Sequence, residues 1–380
     1  MSKLREKMEL LNSLVAKDVD ERLLLLIQSQ NQMRWLVYNY LNYDFLNKKD
    51  SIDNSKLNSP LLIKNLNLFI NTFKKINFTE CKDINFNKNI EENELLNLIK
   101  DYYFNFKKMY FDINSCSTKA KTCNIKIENI RYNEFKKSGD FLYIRKICNE
   151  LYKSSHLVKT LLLHGSYATD DYINGWSDTD LFMIIPRSTI NDIHKMKELR
   201  SRIHKCTSYF LKSDPLQIHG ILLCTEFDQD FYSQSYFPFK LMEYSKVLFG
   251  TSTFQVNSRQ FSEIDYWETF AFEVVSYFLD VKLSDIKSLI DKKLLIHRIL
   301  IMPVYFLQIM GIHSYKKYSF EALKGFIDKD QLGVFVKATE IMNSPDGLSG
   351  LSRADIDQLH DQACAITKIM LDEYYKKAYA

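Results

Sequence analysis

The residues with the clearest chemical meaning lie in one run, Leu161 to Ile185, which reads LLLHGSYATDDYINGWSDTDLFMII. Asp178 and Asp180 stand two apart at the mouth of an apolar stretch. Successive side chains of a strand alternate faces, so these two carboxylates point the same way. Paired carboxylates make a hard-oxygen site for Mg²⁺. An ion held there can bridge phosphate oxygens and neutralise charge that develops at phosphorus in an in-line displacement. Upstream, Gly165 and Ser166 follow His164, and eleven residues separate Ser166 from Asp178. Glycine permits a tight turn and a close backbone approach to a ligand. Ser166 adds a hydroxyl, and backbone N–H groups at a helix start suit phosphate oxygens.

These groups need rigid supports. Leu157 to Leu163 reads as a buried strand that delivers His164, and Asp180 to Ile185 as a second whose aliphatic residues anchor the acids. Pro186 stops it, Thr189 to Leu211 has helical spacing, and Leu216 to Cys224 reads as a third strand. Strand, Gly-Ser turn, strand, helix, strand is an α/β order.

Gly-Ser, a spacer of this length, then Asp-x-Asp and aliphatics resembles the signature of the DNA-polymerase-β type of nucleotidyltransferase. The resemblance covers roughly Leu157 to Cys224. It implies an α/β (α+β) nucleotidyltransferase core with a mixed sheet. It also implies that Gly165 and Ser166 cradle the triphosphate of a nucleoside triphosphate, ATP by expectation. Asp178 and Asp180 then bind the metals, Mg²⁺ or Mn²⁺, and act in catalysis.

Members of that family carry a third carboxylate on a following strand. Here Leu216 to Cys224 holds no acid. Gln217 and His219 share one face of it and either can take the expected position. His219 is then a metal ligand or a general base, since neutral imidazole does both; the alternative is a half-buried histidine that only hydrogen-bonds. Asp214 is a further candidate, or else a turn residue before Pro215. Asp170 and Asp171 fall in the spacer loop, where they are solvated or approach the metal.

Helical domains behind this catalytic fold often bring a basic residue to the nucleotide. After Gly311, the run His313-Ser314-Tyr315-Lys316-Lys317 offers Lys316 or Lys317 to the triphosphate, unless it is a solvated cluster at a helix end. Trp176 stacks on a base or caps packing. Tyr232, Tyr236, Phe237 and Phe239 line an acceptor pocket or an interdomain contact, and the group Tyr38, Tyr40, Tyr43 and Phe45 has the same ambiguity. His297-Arg298, inside an apolar helix, reads as a buried or interfacial hydrogen-bonding pair, with a role at the site as the alternative.

Around the centre, the chain is helical by spacing. Met8 to Asn39, Glu91 to Phe111, Ile264 to Leu279, Leu283 to Met310 and Ser352 to Lys377 all repeat apolar residues at helical intervals. Pro303 should end or kink the fourth of these. Asn47 to Ser59 and Cys81 to Ile90 read as connections. The expected division is a mainly helical region over 1–145, the nucleotidyltransferase domain over 146–254 and a helical domain over 255–380 that closes over the cleft.

Composition narrows the class. With 380 residues and 46% hydrophobic content, the chain can bury more than one core. The formal charge of +4 suits a nucleotide but does not mark a dedicated nucleic-acid binder. Seven scattered cysteines without a Cys-x-x-Cys pair argue against a zinc knuckle or a disulfide framework. The start alternates charge with Leu and lacks a signal-peptide core, and Ile299 to Met310 is too short to span a bilayer. A soluble, cytoplasmic enzyme without a membrane partner is expected. Its acceptor is a small molecule by fold analogy. RNA or protein acceptors, a signalling-nucleotide synthase, or a non-catalytic nucleotide-binding module are the alternatives.

Overall fold

The computed structural model describes residues 2–17, 19–46, 56–57, 59–75, 90–113, 121–131, 141–173, 176–259 and 262–379. The connections expected over 47–59 and 81–90 fall largely outside them. In chain order the strands are β1 (Lys56–Leu57), β2 (Ile90–Glu91), β3 (Lys121–Lys126), β4 (Glu128–Asn129), β5 (Thr160–His164), β6 (Asp180–Ile185), β7 (Leu222–Thr225), β8 (Lys246–Gly250) and β9 (Thr253–Ser258). The central sheet has the order β4-β8-β5-β6-β7. β5 runs antiparallel to β6 and β8, while β6/β7 and β4/β8 are parallel. This is a mixed sheet in an α/β core with helical flanks.

Alternation along β5 and β6 sorts their apolar residues between two cores. Leu161, Leu163, Leu181, Met183 and Ile185 join one cluster, with Ile144, Ile147, Leu199, Ile203 and Phe210 from the helices Phe141–Tyr152 and Ile193–Ser213. Leu162, Phe182 and Ile184 point the other way, into a cluster with Tyr232, Tyr236, Met242 and Val247. His164 and Asp180 sit opposite each other in the β5/β6 register. By parity both belong to that second face.

The first core is shared with the N-terminal region. Leu26, Met33, Leu66, Phe69, Ile99 and Phe106 belong to the same cluster as the sheet. Buried Arg200 pairs with Asp44 at 3.2 Å and Glu92 at 2.8 Å, and Tyr40 Oη donates to Glu92 at 2.9 Å. Leu4 and Leu11 of the helix Ser2–Val15 instead pack with Trp267, Phe278 and Met370 in a third cluster, built mainly from residues beyond 260.

Several elements differ from the sequence reading. The helix expected from Met8 to Asn39 is two, Ser2–Val15 and Glu21–Leu41, because Asp20 caps the second by accepting from the N–H groups of Arg22 and Leu23. Asp192 likewise starts Ile193–Ser213, after the separate turn Arg187–Ile190. Pro303 does not end its helix, which runs from Leu289 to Ile309. The third strand is only Leu222–Thr225, so Gln217 and His219 precede it in non-strand backbone. The helices Pro60–Lys75 and Phe141–Tyr152 and the strands β3, β4, β8 and β9 were not read from the sequence.

Candidate active site

The site is assembled where β5 and β6 end. Gly165 has φ +70°, and a Cβ at this position would collide with Asp180 Oδ2. The turn therefore requires glycine twice, for its left-handed backbone and for the carboxylate lying on it. Ser166 opens the short helix Ser166–Thr169 and is 2% exposed. Its hydroxyl is buried without a protein partner. A buried polar atom left unpaired costs free energy, so its persistence beside Asp180 points to a ligand group.

Asp178 and Asp180 meet at His219. The His219 Nε2 lies 3.0 Å from Asp180 Oδ1 and 3.9 Å from Asp178 Oδ2, and its Nδ1 donates to the Gly220 carbonyl at 2.9 Å. Burial works against charge on this ring, but the hydrogen bond to Asp180 and the charges of Asp180 and Asp178 push its pKa up to about 9. Burial alone would raise the Asp180 carboxyl; the hydrogen bond and charge of His219, with Lys316 and His164, hold it well below the usual carboxylate range.

His219 is latched on both sides. Thr179 N–H donates to Gln217 Oε1 at 2.9 Å, and Gln217 Nε2 donates to the carbonyls of Thr179 (3.2 Å) and His219 (2.9 Å). Gly220 N–H donates to Tyr38 Oη at 3.1 Å, and Ile221 exchanges two hydrogen bonds with the Asn42 side chain at 2.9 and 3.1 Å. Gln217 is therefore occupied as a clamp on the acidic loop. Tyr38, from the N-terminal aromatic group, positions the histidine segment, whereas Tyr40 and Tyr43 are buried in the core.

The C-terminal region contributes residues that sequence reasoning missed. Lys293, 2% exposed, reaches Asp178 Oδ1 at 2.5 Å and Asp214 Oδ2 at 2.6 Å. Asp214 also accepts from Leu216 N–H at 2.9 Å, the turn role expected before Pro215. Burial pushes the Asp214 carboxyl up to about 6, against the opposing charge of Lys293. His297 stands four residues after Lys293 on the helix Leu289–Ile309, so both project from one face. Burial lowers its pKa to about 4, helped by the charge of Lys316. Its chain neighbour Arg298 pairs elsewhere, with Glu273. The expected His297-Arg298 pair is therefore split. The available signal was a Lys and a His at i and i+4 in a helix that is otherwise mostly apolar.

Tyr315 binds the turn directly. Its Oη lies 3.0 Å from Thr169 Oγ1 and 3.5 Å from Asp171 Oδ1, and its ring packs 6.1 Å from that of His164. Lys316 follows, half-buried, and its charge acts on Asp180, His164 and His297. Lys317 is exposed, as is Asp170. His164 Nδ1 bonds Ser245 Oγ at 2.9 Å, and the ring meets Phe237 edge-on at 4.3 Å; burial lowers its pKa to about 4. Trp176 is half-buried against the C-terminal core, with Lys293 Nζ 5.9 Å from its ring centroid. Tyr232 and Tyr236 are core residues. An apolar groove of about 580 Å³ lies elsewhere, lined by Phe320, Leu332, Phe335 and Val336 among others, and includes none of the residues above.

Residues 143–246 match the nucleotidyltransferase domain family. The chain carries a nucleotidyltransferase domain. The match spans the Gly-Ser turn, the Asp-x-Asp pair and His219, and it bears out the resemblance to the polymerase-β type. No curated protein and no solved structure matches the chain. Among the described residues, no helix is long and apolar enough to cross a membrane. Nor, among them, do three or more His, Cys, Asp or Glu side chains gather as a complete metal cage. Two carboxylates still fit the divalent ion this family typically uses, because Mg²⁺ keeps several waters and takes remaining ligands from substrate phosphates.

Proposed function

We propose that this protein transfers a nucleoside monophosphate from a nucleoside triphosphate, ATP in the first instance, to an acceptor nucleophile with release of pyrophosphate. The observation that carries the reading is the unpaired, buried Ser166 hydroxyl beside Gly165 and the two carboxylates. Asp178 and Asp180 would hold Mg²⁺ or Mn²⁺, which supplies charge neutralisation at the triphosphate. Gly165 gives the phosphates close access to backbone, and Ser166 donates to them. Lys316 faces the same cleft with a positive charge suited to phosphate oxygens. His219 serves as a fixed counter-ion that orients both carboxylates. A small-molecule hydroxyl is the favoured acceptor, received between the catalytic segment and the C-terminal helices. A cytoplasmic location accords with this chemistry.

The test is pyrophosphate release by the full chain with each of the four NTPs and Mg²⁺ or Mn²⁺, beside an Asp178→Ala/Asp180→Ala variant. Release with one NTP, abolished in the variant, is expected. Full activity of the double variant would sink the site assignment. Nucleotide binding with no release across NTPs and candidate acceptors would favour the non-catalytic module.

A further inference from the structure

We propose that His297 is the general base that takes the proton from the acceptor hydroxyl, in place of the third carboxylate that this chain lacks. The inference rests on the nucleotidyltransferase reading above and names the proton acceptor within the same cleft.

The argument begins with the other candidates, each of which is engaged. His219 is held by its Nε2 against Asp180 at 3.0 Å, with Asp178 at 3.9 Å, and by its Nδ1 on the Gly220 carbonyl. Gln217 has no basic atom, and both ends of its amide clamp the backbone. Asp214, 3% exposed, is covered by Lys293 and held by the Leu216 N–H. His164 is tied to Ser245 and shielded by the Phe237 ring.

His297 differs from all of them. It is half-buried, and among the described residues it has no hydrogen-bond or ion-pair partner. Its ring nitrogens are not sealed in the core, as the unpaired ones of His204 and His313 are. One helical turn away on the same face, Lys293 touches Asp178. The charged groups around the ring come from every side of the cleft. They are Lys293 on its own helix, Lys316 on the next, Asp180 on β6 and His219 before β7. Burial, with the charges of Lys316 and Lys293, favours the neutral imidazole, which is the form a base requires.

The step balances without any further reagent. The acceptor O–H bond breaks and its proton passes to a free ring nitrogen of His297. The acceptor oxygen forms a bond to the α-phosphorus of the NTP. The bond from that phosphorus to the bridging oxygen breaks, and pyrophosphate leaves with the electron pair. The imidazolium then returns its proton to solvent.

The experiment uses the full chain with ¹³C-labelled histidine, its signals assigned from His297→Gln and His219→Gln. Mn²⁺ and α,β-methylene ATP are added. Both His219 and His297 signals should broaden, more strongly than that of His360, which is buried among the C-terminal helices. A response of His219 without His297 overturns the proposal and leaves the domain reading intact. No response of either removes the underlying site, and the proposal with it. In the pyrophosphate assay, His297→Gln should still show Mn²⁺ broadening at His219 yet lose about 100-fold or more in rate. His297→Gly should regain part of that rate with free imidazole. Release by His297→Gln at the wild-type rate would overturn the assignment.

Discussion

Lys293 offers the sharpest test of how the site is held together. Its ammonium is 2.5 Å from Asp178 and 2.6 Å from Asp214, and both Lys293 and Asp214 are almost fully enclosed. Lys293→Met keeps the stem and removes the charge. Two neighbouring buried carboxylates then lose their shared cation, a change that typically costs about 3–5 kcal/mol. Two features pull the figure toward the low end. Asp178 keeps His219 nearby, and Asp214, already pushed up to about 6 by burial, can take up a proton. We therefore expect a loss of about 3 kcal/mol at neutral pH, a sizeable part of the ~5–15 kcal/mol typical of folded domains.

Urea unfolding followed by circular dichroism at pH 7.5 measures this loss. Adding Asp214→Asn to Lys293→Met should recover most of it, because the neutral amide no longer needs a cation. Mg²⁺ should stabilise Lys293→Met more than wild type, since Asp178 has lost its competing cation. A loss under about 1 kcal/mol, or no recovery in the double variant, would show that the ammonium is not balancing these acids.

Two further outcomes follow from single contacts. Gly165→Ala must strain a backbone at φ +70° and push Asp180 away, so thermal stability should fall by about 1–3 kcal/mol and Mg²⁺-dependent ATP binding, read by calorimetry, should be lost; unchanged binding would contradict the carboxylate's place over the turn. Glu268, which accepts from Asn31, is pushed up to about 7 by burial. A raised carboxyl contributes stability that is full below its unfolded value and lost as pH rises through the folded one. Through this group wild type should therefore lose about 3 kcal/mol between pH 4.5 and 8, and Glu268→Gln should show a flatter profile by chemical denaturation.

The legible part of the site is its local part. Gly165, Ser166, Asp178 and Asp180 fall within sixteen residues, and their spacing alone carries the turn and the paired acids. The two strands behind them were equally readable, because a fully buried strand leaves an uninterrupted apolar run. Leu216 to Cys224 misled for a physical reason. Its first residues look strand-like, yet the side chains of Tyr38 and Asn42 satisfy the backbone of Gly220 and Ile221 in place of a strand neighbour. No local pattern announces partners about 180 residues away. Strand β4 has two residues, too few for any alternation to register. Lys293 was hidden by its company, since Lys292-Lys293 next to an apolar run reads as a solvated helix start.

The family match ends at residue 246, but the charge balance of the cleft does not. Asp178 and Asp214 share their cation with Lys293, and Lys316 acts on Asp180 from the following helix. On the other side, the segment carrying His219 hangs from Tyr38 and Asn42. One face of the sheet, through Leu161, Leu163 and Met183, is covered in part by N-terminal residues. A fragment cut at the family boundaries would expose that face and strip Asp214 of the lysine that covers and neutralises it. The matched segment thus supplies the Gly-Ser turn and the acids, while the flanking regions fix the histidine and set the charge around it.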